Sequence, residues 1–176
     1  DSAFRDTDIN WKIKRVVLDE HISPPSGYIE SWDVSEANNG NVMAYITTNS
    51  EDNTKYDLYI QGNGHLYAPE DSSYLFAHME SLREIVNLRI LDTSNVTTMA
   101  NMFDNERAMT SLDLRHFDTH NVTNMTKMFY NMYALQSLNL SSFNTSKVTA
   151  MEKMFIGTNT IQTLDLSTFN TSRVNN

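Results

Sequence analysis

A 26-residue repeat runs from Leu91 to Asn176 and constrains the fold more than any other feature of the chain. Val96, Val122, Val148 and Val174 recur at that interval, and so do Phe103, Phe129 and Phe155. A fixed period of about 20–50 residues marks stacked repeat architectures. One such unit cannot bury its own apolar side, so successive units must cover one another.

Two hydrophobic periods alternate inside each repeat. Leu112 and Leu114, like Leu138 and Leu140 or Leu164 and Leu166, are two apart and share one face of a short strand. Phe117, Phe143 and Phe169 follow, then Asp118-Thr119, Asn144-Thr145 and Asn170-Thr171, residue types that favour turns. Met125, Met128 and Phe129 then fall at i, i+3 and i+4, which predicts one or two turns of helix. Thr97, Thr123 and Thr149 stand at the N-cap position, and Thr149 with Glu152 reads as a capping box. If the strands pair in parallel, equivalent residues form columns about 4.8 Å apart. The expected columns are Val96/122/148/174, Met99/125/151, Met102/128/154 and Phe103/129/155. Six of the ten methionines lie in two of these columns, so packing explains them better than a soft metal does.

Ahead of the repeats, Trp11 to Leu18 fits a strand by alternation and a helix by Ile9, Ile13 and Val16. Ser23-Pro24-Pro25-Ser26-Gly27 is a break. Val42, Ala44 and Ile46 share one face, as do Tyr56, Leu58 and Ile60, and a polar loop between them predicts an antiparallel hairpin. Leu66-Tyr67-Ala68 reads as a third strand, and Pro69 to Met79 as a helix opening an irregular first repeat. Phe76 lies 27 residues before Phe103, so one residue is inserted there.

The run Asp92-Thr-Ser-Asn-Val-Thr-Thr-Met-Ala-Asn-Met-Phe103 resembles the repeat of BspA-like leucine-rich repeat surface proteins of bacteria. The segment from Trp32 through Tyr56–Gly62 to Phe76 is similar to the one that precedes the first repeat in that family. Members often carry Cys three residues after the repeat Phe, where this chain has Glu106, Met132 and Thr158. The resemblance implies an extracellular, cell-attached protein with adhesive roles and no catalytic residue.

The expected architecture is therefore an α+β repeat solenoid, a right-handed leucine-rich-repeat-like stack of strand–turn–short-helix coils. A small antiparallel β cap over residues 30–75 precedes about four repeats over 76–176, the last incomplete, and residues 1–29 form an extension. A cap would shield the strand edge and apolar face of the first coil.

Composition narrows the function. Residues 1–75 hold 13 acids against 5 bases, whereas 76–176 hold 9 against 8, so the excess negative charge sits ahead of the repeats. That distribution argues against nucleic acid as a partner. There is no cysteine, hence neither disulfide nor thiolate metal site. No apolar run approaches the length of a membrane helix, which argues against membrane insertion by this segment. The N-terminus does not read as a signal peptide, and the repeat stops short at Asn176, so a signal and an anchor are expected outside this stretch.

No motif for chemistry stands out. His116 and His120 are four apart, but at a strand end, with Ser and Thr in the other repeats, so no metal or cofactor is expected. The Glu51-Asp52-Asn53 loop lacks the distal glutamate of a calcium site. Six Asn-x-Ser/Thr sequons, at Asn95, Asn121, Asn124, Asn139, Asn144 and Asn170, arise from the repeat itself. What remains is surface: Asp113, Arg115, Asn139, Ser141, Asp165 and Ser167 are expected on one flat polar sheet face, and His116 is a further candidate for the partner surface. Tyr130 and Tyr133 break the repeat and are candidate partner anchors. The expected function is a non-enzymatic bacterial cell-surface adhesin for a host protein or glycan of the mucin, fibronectin or fibrinogen class. The alternative is a spacer with no ligand of its own.

Overall fold

The computed structural model describes residues 7–175. The chain divides into two compact units, one from the residues up to Leu66 with Met79–Leu91, the other from Tyr67–His78 with Asp92 onward.

The first unit is a five-stranded mixed sheet. Its strands are β1 (Ile13–Asp19), β2 (Glu30–Asp33), β3 (Val42–Thr48), β4 (Tyr56–Gly62) and β6 (Glu84–Val86), in the order β2-β3-β4-β1-β6. β3 and β4 pair antiparallel from Val42↔Gly62 to Thr48↔Tyr56, and β2 pairs antiparallel with β3. β1 lies parallel to both β4 and β6. The sheet is thus neither purely antiparallel nor confined to residues 30–75, because β1 and β6 come from either side of that range.

β1 also resolves the double reading of residues 11–18. A register shift between Ile13 and Arg15 displaces the alternation by one. Ile13, Val16 and Leu18 consequently all reach the core, and a bulge imitates helical spacing. Across β1 and β4, Arg15 bonds Asp57 at 2.6 Å, and the Asp57 carboxylate also accepts from Asn49 at 2.6 Å. Asp57 is buried, and these two donors offset its loss of water.

The second unit overturns the α+β solenoid. The repeats contain no helix; among the described residues the helical segments are α1 (Thr7–Asn10) and a 3₁₀ turn at Leu88–Ile90. Strand structure is equally sparse. Besides β5 (Leu66–Tyr67) and β7 (Leu91–Asp92), it amounts to a two-stranded parallel sheet of β8 (Ser111–Asp113) and β9 (Ser137–Asn139). The segments expected to be helical are chains of turns.

Their hydrogen bonds explain why. The backbone N–H groups of Met99, Asn101, Phe103 and Asn105 donate to Asn124, Thr126, Met128 and Tyr130 of the next repeat. Met125, Lys127, Phe129 and Asn131 likewise donate to Ala150, Glu152, Met154 and Ile156. A helix would have turned these donors back on their own segment. Two left-handed residues per turn segment forbid it: Asn101 and Asn105, Lys127 and Asn131, Lys153 and Gly157 all have φ between 53° and 85°. Thr123 and Thr149 do not cap helices either. Their hydroxyls donate to the carbonyls of Thr97 and Thr123, one repeat back, while Glu152 pairs with Lys153.

The apolar columns nevertheless align. The rings of Phe76, Phe103, Phe129 and Phe155 stack with centroids 5.6, 5.9 and 5.7 Å apart, and Phe143 stacks on Phe169 at 6.2 Å. Val96, Val122, Val148, Met99, Met102, Met125 and Met128 are fully buried beside them. This apolar interior, bounded by ladders of turns, holds the surface described next.

Candidate partner-binding surface

The polar positions of the repeat are turn residues first. The side-chain oxygens of Asp113, Asn139 and Asp165 accept the backbone N–H two residues on, from Arg115, Ser141 and Ser167. Asp118, Asn144 and Asn170 do the same for His120, Ser146 and Ser172. A short carboxylate or amide can close such a turn because it reaches the second N–H without straining the backbone.

These turns replace the flat sheet face expected from the sequence. Asp113 and Asn139 lie opposite each other in β8 and β9, but Arg115 and Ser141 fall in the following turns and Asp165 lies outside any strand. Arg115 folds back onto Asp113 in a forked pair, with Nε 2.9 and 3.0 Å from the two carboxylate oxygens. That bond holds the Asp113 carboxyl below its ordinary range. The backbone N–H of His120 and of Ser167 lower Asp118 and Asp165 in the same sense. His116 is half-buried, edge-on to Phe117 at 5.0 Å, while the exposed His120 ring faces Asp118 at 2.7 Å. The two histidines thus engage different neighbours. Among the described residues no group of three or more His, Cys, Asp or Glu is placed to hold a metal ion.

The two tyrosines differ from each other. Tyr130 is half-buried with the Lys127 ammonium 5.4 Å from its ring. Tyr133 is 46% exposed, its hydroxyl donating to Asn131 at 2.8 Å and the Arg107 guanidinium 5.9 Å from its ring. Cation and ring attract because the ring face is electron-rich. Tyr133 therefore presents a broad ring held at both its edge and its face.

Arg107, Lys127 and Asn131 complete this surface, and sequence reasoning passed over all three. Arg107 and Tyr133 are 26 residues apart and so occupy one column of the repeat, which the structure turns into a contact between successive repeats. A second ladder runs alongside: Asn131 donates to Asn105 at 3.1 Å, and the Asn105 amide lies 3.5 Å from His78. Next to it, burial holds the Asp104 carboxyl above its ordinary range, against the opposing influence of His78 and Lys127.

In the first unit a cleft is lined by Lys14, Arg15, Asn49, Ser50, Glu51, Arg83 and Glu84. Lys14 pairs with Glu51 at 2.8 Å and Arg15 with Asp57 at 2.6 Å, so carboxylates of the same unit engage two of the three cations that line the cleft. Among the described residues no helix is long and apolar enough to cross a membrane.

The family described as "Mycoplasma protein of unknown function, DUF285" matches residues 70–176, more than half of the chain. Neither a curated protein nor a solved structure matches.

Proposed function

The chain belongs to this family of Mycoplasma proteins, and from that premise we propose that it is a non-enzymatic protein of the bacterial cell surface. Its role is to bind a host protein or glycan through the turn surface of the repeats. The observation that carries this reading is Tyr133, an exposed ring fixed by Asn131 and flanked by Arg107. A tyrosine already held in place loses little side-chain entropy on binding, and Tyr and Arg are the residues that dominate interface energetics. The likeness of Asp92–Phe103 to BspA-like repeats supports the extracellular location and the adhesive role. No cofactor enters this function.

The regular bonding from each repeat to the next favours a second reading, a spacer that holds another domain away from the cell. Surface plasmon resonance on immobilised mucin, fibronectin and fibrinogen separates the two. An adhesin binds at least one of them. Because residues 76–176 are nearly neutral, its affinity changes only modestly between low and physiological salt. A chain that binds none of the three is a spacer.

A further inference from the structure

Behind Tyr133 the polar side chains form one chain of hydrogen bonds. The Tyr133 hydroxyl donates to the Asn131 Oδ1 at 2.8 Å, the Asn131 amide to the Asn105 Oδ1 at 3.1 Å, and the Asn105 amide to the Asp104 Oδ1 at 2.6 Å. Every donor in this relay points toward Asp104. Its far end is a buried carboxyl group, which in the ionised form has acceptors and no donor, so the last bond is charge-assisted. An amide that gives its nitrogen to a carboxylate turns its oxygen the other way. Asn105 therefore offers an acceptor to Asn131, and Asn131 offers one to Tyr133.

Backbone geometry keeps the two amides within reach of each other. Asn105 and Asn131 hold the same place in successive repeats, both left-handed with φ 63° and 58°, and their backbone N–H groups donate to Tyr130 and Ile156. One repeat later that place is Gly157, where a Cβ would lie 2.7 Å from the Asn131 Oδ1. Glycine there leaves room for the oxygen that accepts from Tyr133.

We propose that Asp104 is a positioning residue for the Tyr133 surface, acting through Asn105 and Asn131 to make the Tyr133 oxygen an acceptor only. With its proton committed to Asn131, the phenol has lone pairs alone to offer. It therefore selects a partner group that donates, an N–H or a hydroxyl, over a sulfate or a carboxylate. A fixed acceptor rejects a group without a donor because it is then desolvated and left unpaired. This selectivity rests on the reading of Tyr133 as the partner anchor, whereas the direction of the relay does not.

The relay is tested first without a partner. In the isotope-labelled chain, NMR should show a coupling across the hydrogen bond from the Asn131 side-chain nitrogen to the Asn105 Cγ. Asp104→Asn keeps the shape but supplies a donor, so in that variant the coupling should vanish or run from the Asn105 nitrogen to the Asn131 Cγ. The reversed coupling in the parent, or the parent's coupling unchanged in the variant, would overturn the proposal. Selectivity is then read by surface plasmon resonance on whichever of mucin, fibronectin or fibrinogen the parent binds. Tyr133→Phe keeps the ring, removes the acceptor and should raise Kd about threefold or more. In the Asp104→Asn background the same change should raise Kd by less than about 1.5-fold. Equal losses in the two backgrounds would contradict Asp104 acting through Tyr133. Repeating the pair on the deglycosylated ligand separates a sugar hydroxyl, whose effect disappears, from a peptide N–H, whose effect stays. Binding to none of the three removes the partner anchor and the selectivity with it, while the couplings still decide the relay.

Discussion

The hydroxyl of Thr119 forms two bonds with one residue of the next repeat, accepting the backbone N–H of Asn144 at 2.8 Å and donating to its carbonyl at 3.1 Å. Thr93 makes the same clasp on Asp118, and Thr145 on Asn170. All three hydroxyls are buried, so the clasp satisfies a donor and an acceptor that water cannot reach. Thr119→Val keeps the shape and removes both bonds. In urea melts it should cost about 2–4 kcal/mol, and Thr119→Ser should recover most of that. A valine variant as stable as the parent would show the clasp to be dispensable.

Phe129 sits between Phe103 and Phe155 and is fully buried, while its neighbour Tyr130 is half-buried. Phe129→Ala should lower stability by about 3–5 kcal/mol, because the gap leaves rings on both sides without contacts. Tyr130→Ala should cost under about 1 kcal/mol. Comparable urea midpoints for the two would contradict the ring column.

Left-handed positions give a pair of opposite signs. Lys127 has φ 53°, a conformation that strains any residue with a Cβ. Lys127→Gly should be neutral or stabilising by up to about 1 kcal/mol, relief of strain outweighing the entropy glycine adds to the unfolded chain. At Gly157, φ is +85°, and a Cβ would meet the Asn131 Cα at 2.8 Å. Gly157→Ala should therefore destabilise. Thermal melts of the two variants shifting in the same direction would refute the turn geometry.

Much of the second unit is legible in its period. Residues 26 apart occupy equivalent places, which is why Val96, Met99 and Phe103 align with their counterparts. Helix and turn ladder could not be told apart from Met125, Met128 and Phe129, since both conformations bring i, i+3 and i+4 to one side. The discriminating signal was the column Asn105, Asn131 and Gly157, residue types that tolerate positive φ, standing where a helix would need to continue. In the first unit, the bulge between Ile13 and Arg15 hid a strand behind helical spacing. At the candidate surface, Tyr133 was visible because it breaks the repeat. Its partner Arg107 stands in the same column one repeat earlier, but the period alone does not say that its guanidinium lies against the ring.

Asp104 should make stability depend on pH in an uncommon direction. Burial raises its carboxyl above 3.8, the ordinary value, despite the nearby charges of His78 and Lys127. Between 3.8 and the raised value the folded chain holds a proton that the unfolded chain has released. The group's contribution to stability therefore grows as pH falls through that window and is lost as pH rises out of it. Asp113, Asp118 and Asp165 act oppositely, since their lowered carboxyls stabilise above the ordinary value and lose that effect on acidification. Urea midpoints of Asp104→Asn against the parent from pH 3 to 7 should show the variant gaining most at the neutral end. A pH-independent difference would place the Asp104 carboxyl in an ordinary environment.

The most direct measurement of the proposed function compares the parent chain with a Tyr130→Ala, Tyr133→Ala double variant by surface plasmon resonance on whichever of mucin, fibronectin or fibrinogen the parent binds. If the tyrosines anchor the partner, the double variant should lose about 1 kcal/mol or more, roughly a fivefold or greater rise in Kd. Arg115→Ala should change Kd less, because that side chain is already committed to Asp113. An unchanged Kd in the double variant, at unchanged thermal stability, would contradict binding through this surface.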